Sequence, residues 1–421
     1  MIAILVYIIF FFIGLISPIP KKFLISAYVL SILFDENRIL NISISNVLSI
    51  LLISRLIIKK NKNWFSFSYP VFFLVIFLLI SFISFLLTPN EGANSNMISI
   101  FLLVLNSILL ARYIAKKNLI KFLIRIVLTL SILSALTVIF DASLYYFFGI
   151  QMQSVGVYAL RNLNMYAYSA IGLFSGNGIA SLHILPGLII VLFNSSISRY
   201  KNLIFLVLVL GLVSTMSRGM ILVFIMFFLS SFYINRKNNS KIIKYFSYSL
   251  IPFIIIGSAN LVVFMSNFNL TSVASRFYLI SASFIKISEK PFFGNGLNAR
   301  IVGNKLDLDF LDKSQIQEWE LNDNLRETHN TLLQIPLETG LIGFFFFGLM
   351  YFFILKQSYI TYKFSTKVGI DNNLSLCVFL LLGMLIIASL ANSYMYFKLL
   401  WIIITIGIAF YSITKFNYEI K

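Results

Sequence analysis

The sequence predicts an all-α membrane protein whose chain crosses the bilayer many times. Of its 421 residues, 59% are hydrophobic and 11% are charged, and the mean hydropathy is +0.92. A water-soluble domain cannot hide this share of apolar side chains from water. The apolar residues also gather into runs of the length that a spanning helix needs, roughly 20 residues. Together these observations exclude a soluble globular enzyme.

The apolar runs set the number and position of the predicted spanning helices. Charged or polar breaks separate about 12 or 13 runs. The first run has no basic segment before it and no small-residue cleavage site, so we expect a retained helix and not a removed signal peptide. The predicted helices lie near residues 2–18, 23–34, 40–58, 70–88, 97–114, 120–140, 179–197, 203–215, 219–235, 245–265, 338–355, 373–391 and 399–414.

The basic residues predict the orientation of these helices. The net charge of +18 arises largely from Lys and Arg clusters in short breaks between apolar runs, and such clusters stay on the cytoplasmic side of a membrane. The charge is therefore a topology signal and does not indicate a nucleic-acid partner. The clusters occupy every second break, at residues 59–62, 112–121, 199–201, 236–244, 356–367 and 415–421. We expect the opposite, external face to hold residues 35–37, 89–91, 141–178, 214–219 and 266–330.

The segment 266–330 is the longest polar stretch and divides the chain into three parts. It contains eight of the fifteen acidic residues and seven basic ones, with Leu, Ile and Phe between them. This mixture predicts a folded helical loop and not a disordered linker, and long loops in compact proteins usually carry function. The expected parts are N-terminal transmembrane helices (1–265), an external helical loop carrying active-site residues (266–330) and C-terminal transmembrane helices (331–421).

A short external turn, Ser214-Thr-Met-Ser-Arg-Gly219, separates two apolar runs. Arg218 in a solvated turn is the ordinary interpretation, since a turn arginine can reach water. The functional interpretation is an anion site. A guanidinium forms two parallel hydrogen bonds to phosphate oxygens, and the Ser217 hydroxyl and the backbone N–H groups of a helix start would add donors.

A second candidate motif runs from Ser275 to Gly296. Its apolar residues recur at helical spacing and predict an amphipathic helix that stops before Pro291-Phe-Phe-Gly-Asn-Gly296. Arg276 is expected in the first turn of this helix. The alternative is an arginine that reaches a lipid headgroup and has no catalytic role.

The third candidate is His329, one of two histidines. His183 lies inside an apolar run, so we expect a packed helix histidine that bonds a backbone carbonyl. His329 is predicted at the external membrane boundary, beside Arg326 and Asn330. Glu338 follows in an apolar stretch, where an ionisable side chain is costly and is usually functional. A neutral imidazole can act as general base toward a sugar hydroxyl, although a plain surface histidine is also compatible with this position.

In chain order these motifs resemble the O-antigen ligase and O-antigen polymerase superfamily. The resembling segments are Ser217-Arg-Gly219, Arg276 leading to Pro291-Phe-Phe-Gly-Asn-Gly296, and Thr328-His-Asn-Thr-Leu-Leu-Gln334 followed by Glu338-Thr-Gly-Leu-Ile-Gly343. Upstream, Gly172-Leu-Phe-Ser-Gly-Asn-Gly178 is similar to a Gly-Leu-Phe-Gly-Asn stretch of the family, with Ser175 in place of a glycine. The resemblance covers roughly residues 170 to 350.

The resemblance implies a GT-C-like helical membrane fold and a metal-independent, inverting glycosyltransferase of lipopolysaccharide biosynthesis. Its active site would face the periplasm from the bacterial inner membrane. Arg218 and Arg276 would bind the pyrophosphate of a glycan carried on undecaprenyl pyrophosphate, and His329 would orient or deprotonate the acceptor hydroxyl. Arg161 would add a third phosphate contact. The other predicted substrate-binding residues are Ser217, Arg326, Asn330 and Glu338.

The implied partners are lipids and lipid-linked sugars. An undecaprenyl-pyrophosphate-linked oligosaccharide would serve as donor and as acceptor, and a membrane protein that regulates chain length would be a further partner. No cofactor is expected. The single Cys377 and the two histidines are too few for a Cys or His metal cluster.

Three alternatives remain open from the sequence. A ligase would transfer the glycan to the lipid A core, and the shared motifs do not separate it from a polymerase. The AT-rich composition and the weak resemblance outside the motifs favour the polymerase. A flippase or transporter would place charges along a path through the membrane, whereas the charged residues here gather on one face. A structural scaffold would not need the ordered Arg, Arg and His motifs.

Overall fold

The described helices pack into a bundle, and two short β ribbons lie among the described segments outside the helices. A computed structural model describes residues 20–34, 43–58, 68–90, 92–151, 157–160, 165–193, 200–234, 270–302, 325–326, 328–365, 371–390 and 392–419. The helices are α1 (Lys21–Ser31), α2 (Ile44–Ile58), α3 (Tyr69–Leu87), α4 (Ala93–Lys117), α5 (Ile120–Phe148), α6 (Asn177–Phe193), α7 (Lys201–Ser214), α8 (Arg218–Ile234), α9 (Leu270–Glu289), α10 (Thr331–Lys363), α11 (Asn372–Ser389) and α12 (Lys398–Glu419).

The two ribbons are small additions to the predicted all-α fold. Strands β1 (Val157–Leu160) and β2 (Met165–Tyr168) pair antiparallel, and so do β3 (Ile301–Val302) and β4 (Leu325–Arg326). Both ribbons lie in segments that the sequence assigns to the external face. The second ribbon brings the two described ends of the 266–330 segment together, because Ile301 pairs with Arg326.

Six of the described helices are long and apolar enough to cross a membrane, namely α3, α4, α5, α10, α11 and α12. Four described helices, α2, α6, α7 and α8, have shorter apolar stretches of 10–17 residues. Helix α1 has 11 residues, about half of a bilayer span, so the predicted run 23–34 is shorter than a spanning helix. The predicted runs 2–18 and 245–265 lie outside the described residues. The fold class predicted from composition, a multispanning helical membrane protein, is confirmed.

Helix α12 lies at the centre of the described bundle and is the most buried of the six long helices. It packs against α4, α10 and α11. Helix α10 packs along α3, where the phenylalanines of the two helices interleave; the ring centroids of Phe77 and Phe347 are 5.2 Å apart, and those of Phe73 and Phe353 are 5.5 Å apart. Helices α5, α6 and α7 pack against one another on another side. The phenylalanine-rich run of α10 is therefore in part helix-packing surface.

Several helix boundaries differ from the sequence predictions, including the ends of α10 at Lys363 and of α12 at Glu419. Helix α5 was expected to end near residue 140 but continues to Phe148, because apolar and aromatic residues extend the helix to Gly149. Helix α9 begins at Leu270, so Arg276 lies in its second turn and not in its first. Helix α10 begins at Thr331, well before the predicted residue 338, because the Asn330 side chain caps its first turn.

Helix α10 is broken at Gly340, which has φ 70° and ψ 178°. The break leaves backbone groups without helical partners, and groups from elsewhere in the chain take their place. The Asn295 amide donates to the Leu337 carbonyl at 2.8 Å, and the Leu341 amide donates to the Pro291 carbonyl at 2.7 Å. A non-helical backbone is tolerated inside a membrane protein where it lines a water-filled cavity or, as here, where other protein groups satisfy it.

Candidate functional site

The motif segments and the loops that support them lie at one end of the bundle. The Lys290 ammonium reaches the Thr88 hydroxyl at 3.1 Å, and the Asn90 side-chain Nδ2 donates to the Asn295 and Leu297 carbonyls at 2.9 and 3.0 Å. These contacts join the α3–α4 turn to the end of α9. An ion pair at the opposite end, Lys121 with Asp371 at 3.5 Å, lies in segments that the sequence assigns to the cytoplasmic face.

Arg218 is the first residue of α8, directly after a tight turn. Within the turn, the Ser217 amide donates to the Thr215 hydroxyl at 3.2 Å, and the Ile221 amide donates to the Ser217 carbonyl at 3.0 Å. Ser217 is buried. The α8 start therefore presents backbone N–H groups beside a serine, as the anion-site interpretation requires.

Buried hydrogen bonds connect the Arg218 turn to the loop between β2 and α6 and to α6 itself. The Ser169 hydroxyl donates to the Thr215 carbonyl at 2.7 Å, and the Ser181 hydroxyl lies 3.1 Å from the Thr215 hydroxyl. The Ala170 amide donates to the Ser214 carbonyl at 3.0 Å. The loop between β2 and α6 thus fixes the position at which α8 begins.

His329 is exposed and has a left-handed backbone conformation, with φ 47°. Its neighbours Thr328 and Asn330 are buried. The Thr328 hydroxyl donates to the Asn330 carbonyl at 2.9 Å, while the Asn330 side chain accepts from the amides of Leu332 and Leu333. A left-handed conformation is uncommon outside glycine and costs free energy, so it persists where surrounding contacts impose it. The flanking residues therefore fix the backbone from which the imidazole extends.

The turn between α11 and α12 connects the His329 segment to the start of α6. The Asn392 carbonyl accepts from the Thr331 amide at 3.1 Å and from the Thr331 hydroxyl at 2.7 Å. The Tyr394 hydroxyl donates to the Gly178 carbonyl at 3.2 Å. Since α6 also bonds the Arg218 turn through Ser181, a continuous set of hydrogen bonds links the two motifs. We call segments 168–178, 214–217, 328–331 and 392–397 the hydrogen-bonded belt.

The turn Pro291–Gly296, which ends the predicted α9 motif, packs directly onto the α10 break. A β-carbon on Gly340 would lie 2.0 Å from the Phe292 carbonyl oxygen, and one on Gly294 would lie 2.5 Å from the Gly340 nitrogen. Both glycines have positive φ. The Pro291–Gly296 and Glu338–Gly343 motifs, which the sequence relates only through the family resemblance, are thus in backbone contact. Helix α9 packs along α10.

Glu338 is 1% exposed and lies two residues before the break. Its Oε1 accepts a hydrogen bond from the Gln334 side-chain Nε2 at 3.0 Å, and its Oε2 accepts one from the Tyr396 hydroxyl. Burial and the nearby carboxylate raise the pKa of the Tyr396 phenol well above its usual value. The contacts described for the Glu338 side chain therefore join α10 to the α11–α12 turn.

The predicted site residues differ in how far the structure describes them. His329, Asn330, Ser217 and Glu338 are described in full, and all four belong to the end of the bundle outlined above. The backbones of Arg218, Arg276 and Arg326 are placed in α8, α9 and β4, while their side chains and all of Arg161 lie outside the described part of the chain. The roles assigned to these eight residues stay predictions.

His183 is placed as expected. Its Nδ1 lies 2.8 Å from the Ile179 carbonyl oxygen, and its ring stacks on Phe174 with centroids 4.5 Å apart. The residue is buried within α6. It is a packed helix histidine, as its position in an apolar run indicates.

Sequence reasoning missed several residues that support the site. The most prominent is Asp141, a fully buried carboxylate in α5. Its signal was present, because it is an acidic residue beside apolar positions and such residues are costly in a spanning helix. Asn392 and Tyr394 were also missed. Their polar side chains stand between two apolar runs, but nothing local to them indicates the distant segments that they contact.

Comparison with known proteins agrees with the motif order. A family model described as O-antigen ligase matches residues 203–348. The matched range contains the Arg218 turn, α9, the His329 segment and the α10 break. A comparison with curated proteins gives no match. The match indicates an enzyme of the O-antigen ligase or polymerase type that acts on lipid-linked glycans in a membrane. Over residues 203–348, the predicted resemblance to the O-antigen ligase and O-antigen polymerase superfamily is therefore confirmed.

Proposed function

We propose that this protein is an O-antigen polymerase. It transfers the growing glycan from undecaprenyl pyrophosphate onto the next lipid-linked repeat unit, at the periplasmic face of the bacterial inner membrane. The observation that carries the proposal is the exposed, left-handed His329 on a belt that also holds the Arg218 turn. Residues held in uncommon backbone conformations by their surroundings cluster at functional sites, and this supports a role for His329.

In the proposed reaction, the arginines bind the leaving group. A pyrophosphate ester carries several negative charges, and the guanidinium groups of Arg218 and Arg276 would neutralise them as the bond to the sugar breaks. The N–H groups at the start of α8 would add hydrogen bonds to the phosphate oxygens. Because these groups supply positive charge, the proposal includes no metal ion.

His329 acts on the acceptor. Its neutral imidazole takes the proton of an acceptor hydroxyl, whose oxygen attacks the anomeric carbon from the side opposite the pyrophosphate. A new carbon–oxygen bond forms while the bond to pyrophosphate breaks, and undecaprenyl pyrophosphate leaves with the electron pair. The configuration at the anomeric carbon is inverted. The exposure of His329 suits a residue that must meet a large, variable acceptor.

The first test uses a strain that lacks this gene, with its surface polysaccharide separated by size. If the protein is a polymerase, the long ladder disappears and a single repeat unit remains on the lipid A core. If instead all attached glycan disappears while long chains accumulate on the lipid carrier, the protein is a ligase. The ligase is the second candidate because the matching family model carries that description. An unchanged ladder would refute both assignments.

Single substitutions then test the assigned roles. Arg218→Ala and Arg276→Ala are expected to abolish the ladder while the protein still inserts and folds. His329→Ala is expected to stop transfer but to keep donor binding. Arg125→Ala is a matched control, because Arg125 is an exposed guanidinium near the opposite end of α5. Retained activity in any of the three variants would remove that residue from its role.

Loss of a partner has a different expected result. A membrane protein that regulates chain length would set the most frequent number of repeats without taking part in the chemistry. Its removal from the strain should change the length distribution and leave the glycosidic linkage unchanged. A changed linkage would contradict this division of labour.

A further inference from the structure

Asp141 lies in α5, outside the range matched by the family model. Its carboxylate is fully buried and accepts three hydrogen bonds. The Tyr168 hydroxyl donates to Oδ1 at 2.9 Å, and the Ile171 and Gly172 amides donate to Oδ2 at 2.9 and 3.0 Å. A buried carboxylate is costly unless several donors satisfy it. The last residue of β2 and the loop after it supply these donors.

The three donors make Asp141 an anchor for the loop that holds the Arg218 turn. The bonded residues Tyr168, Ile171 and Gly172 enclose Ser169 and Ala170, whose own bonds go to the Thr215 and Ser214 carbonyls. The path from Asp141 to the first residue of α8 therefore contains one short loop and one turn. Each connection is a hydrogen bond of ordinary length.

The same arrangement constrains what else Asp141 can do. All three bonds described for the carboxylate run inward to the protein, and the side chain has no exposed surface. Asp141 is thus placed to act through the loop and not by touching a substrate. Simple loop anchoring for stability is the competing explanation. The two explanations differ in whether the loss of Asp141 acts on ligand binding through Arg218.

We propose that Asp141 is a positioning residue for the phosphate-binding arginine at the start of α8. It fixes the loop 168–172, the loop fixes the Thr215 turn, and the turn sets where the Arg218 guanidinium meets the pyrophosphate. This inference rests on the proposed role of Arg218 in binding pyrophosphate. Small displacements of a charged, bidentate group cost affinity because both hydrogen bonds must keep their geometry.

The test measures the affinity of the full-length protein, purified in lipid nanodiscs, for undecaprenyl pyrophosphate without sugars. Asp141→Ala is expected to weaken binding about tenfold. Asp141→Asn keeps an oxygen acceptor for the two amides and should stay within about threefold of the unchanged protein. Ser143→Ala is the matched control, because Ser143 lies two residues after Asp141 in α5. Among its described contacts, its hydroxyl bonds only the Ile139 carbonyl.

A double-mutant cycle separates positioning from general stability. In an Arg218→Ala background, where Arg276 still provides residual affinity, Asp141→Ala should cause no further loss. Equal losses in both backgrounds would overturn the proposal, and so would unchanged affinity in Asp141→Ala. If Asp141→Ala fails to fold, Ser169→Ala decides, because it removes the link to Thr215 and leaves the Asp141 bonds in place. Its affinity should fall about threefold, with no further loss in the Arg218→Ala background.

The outcome is independent of whether the protein is a polymerase. If the unchanged protein binds undecaprenyl pyrophosphate and the cycle shows coupling, the positioning role holds even when no ladder depends on the gene. If the ladder depends on the gene but the cycle shows no coupling, the proposed function holds and the role of Asp141 is refuted. Failure of the unchanged protein to bind the probe would refute the pyrophosphate role and, with it, the inference built on it.

Discussion

Replacing His329 by alanine and by glycine separates the chemical role of the imidazole from the cost of its backbone. Both variants lack the general base, so both should lose glycan transfer while keeping donor affinity. Their stabilities should differ. Alanine keeps the β-carbon that makes φ 47° unfavourable, whereas glycine adopts this conformation without that cost.

The size of the difference follows from two opposing terms. Relief of the left-handed backbone stabilises the glycine variant by about 1–2 kcal/mol relative to alanine. The larger conformational entropy of glycine in the unfolded chain offsets about 0.5–1 kcal/mol of this stabilisation. We expect His329→Gly to be more stable than His329→Ala by about 0.5–1 kcal/mol.

Thermal unfolding of the purified variants in one detergent measures this order. Thr129, in the middle of α5 and exposed, provides the control pair. There the order should reverse, with glycine less stable than alanine by about 1 kcal/mol, because the backbone is helical. If alanine is also the more stable residue at position 329, the backbone there is not left-handed. If either His329 variant still transfers glycan at the normal rate, the imidazole is not the base.

Three further predictions concern the α10 break and the second arginine. Gly340→Ala should destabilise the protein by about 3 kcal/mol or more, since its β-carbon would lie 2.0 Å from the Phe292 carbonyl oxygen. Gly348→Ala is the control in the same unfolding assay. A β-carbon at position 348 would meet no neighbouring atom within 4 Å, so this variant should be neutral or slightly stabilising. Tyr396→Phe removes a donor to Glu338 and should cost about 1.5–3 kcal/mol. The pKa of Tyr396 is raised in the fold, so its phenol stays protonated below the ordinary pKa of about 10. The cost of Tyr396→Phe should therefore be the same from pH 6 to about 9. A cost that falls within that range would contradict the assigned bond. Arg276→Lys should lower kcat/KM about tenfold or more, since an ammonium cannot make the bidentate contact; near-normal kinetics would show that only its charge matters.

The helices were predictable because apolar length is a local property of the chain. Runs such as 70–88 and 373–391 correspond to α3 and α11 within a few residues. The end of α5 was wrong because Asp141 was read as the start of a loop. In the structure three donors from that loop satisfy the carboxylate, so a helix can contain it. The apolar and aromatic residues that continue the helix are local, but the donors that satisfy the carboxylate are distant in sequence and are not visible locally.

The candidate site shows the same division. The motif order alone identified the Arg218 turn, α9 and the His329 segment, because each carries a distinctive residue pattern. The left-handed conformation of His329 was not predictable, since it follows from buried contacts of Thr328 and Asn330. The meeting of Pro291–Gly296 with Gly340 was not predictable either. It depends on how two helices pack, and their sequences do not encode that contact separately.

The break in α10 also bears on how the protein is made. The ribosome completes the Pro291–Gly296 turn before it completes Gly340, so this turn emerges before the part of its docking surface that α10 provides. Residues 341–363 can enter the bilayer as an ordinary apolar helix. The Leu337 carbonyl and the Leu341 amide, in contrast, obtain their hydrogen-bond partners from the Pro291–Gly296 turn. Docking is therefore a late step of biogenesis. A nascent chain stopped before residue 340 would keep the contacts of this turn with the α3–α4 turn but lack those with α10. The end of α9 would therefore reach its final set of contacts only after α10 is inserted.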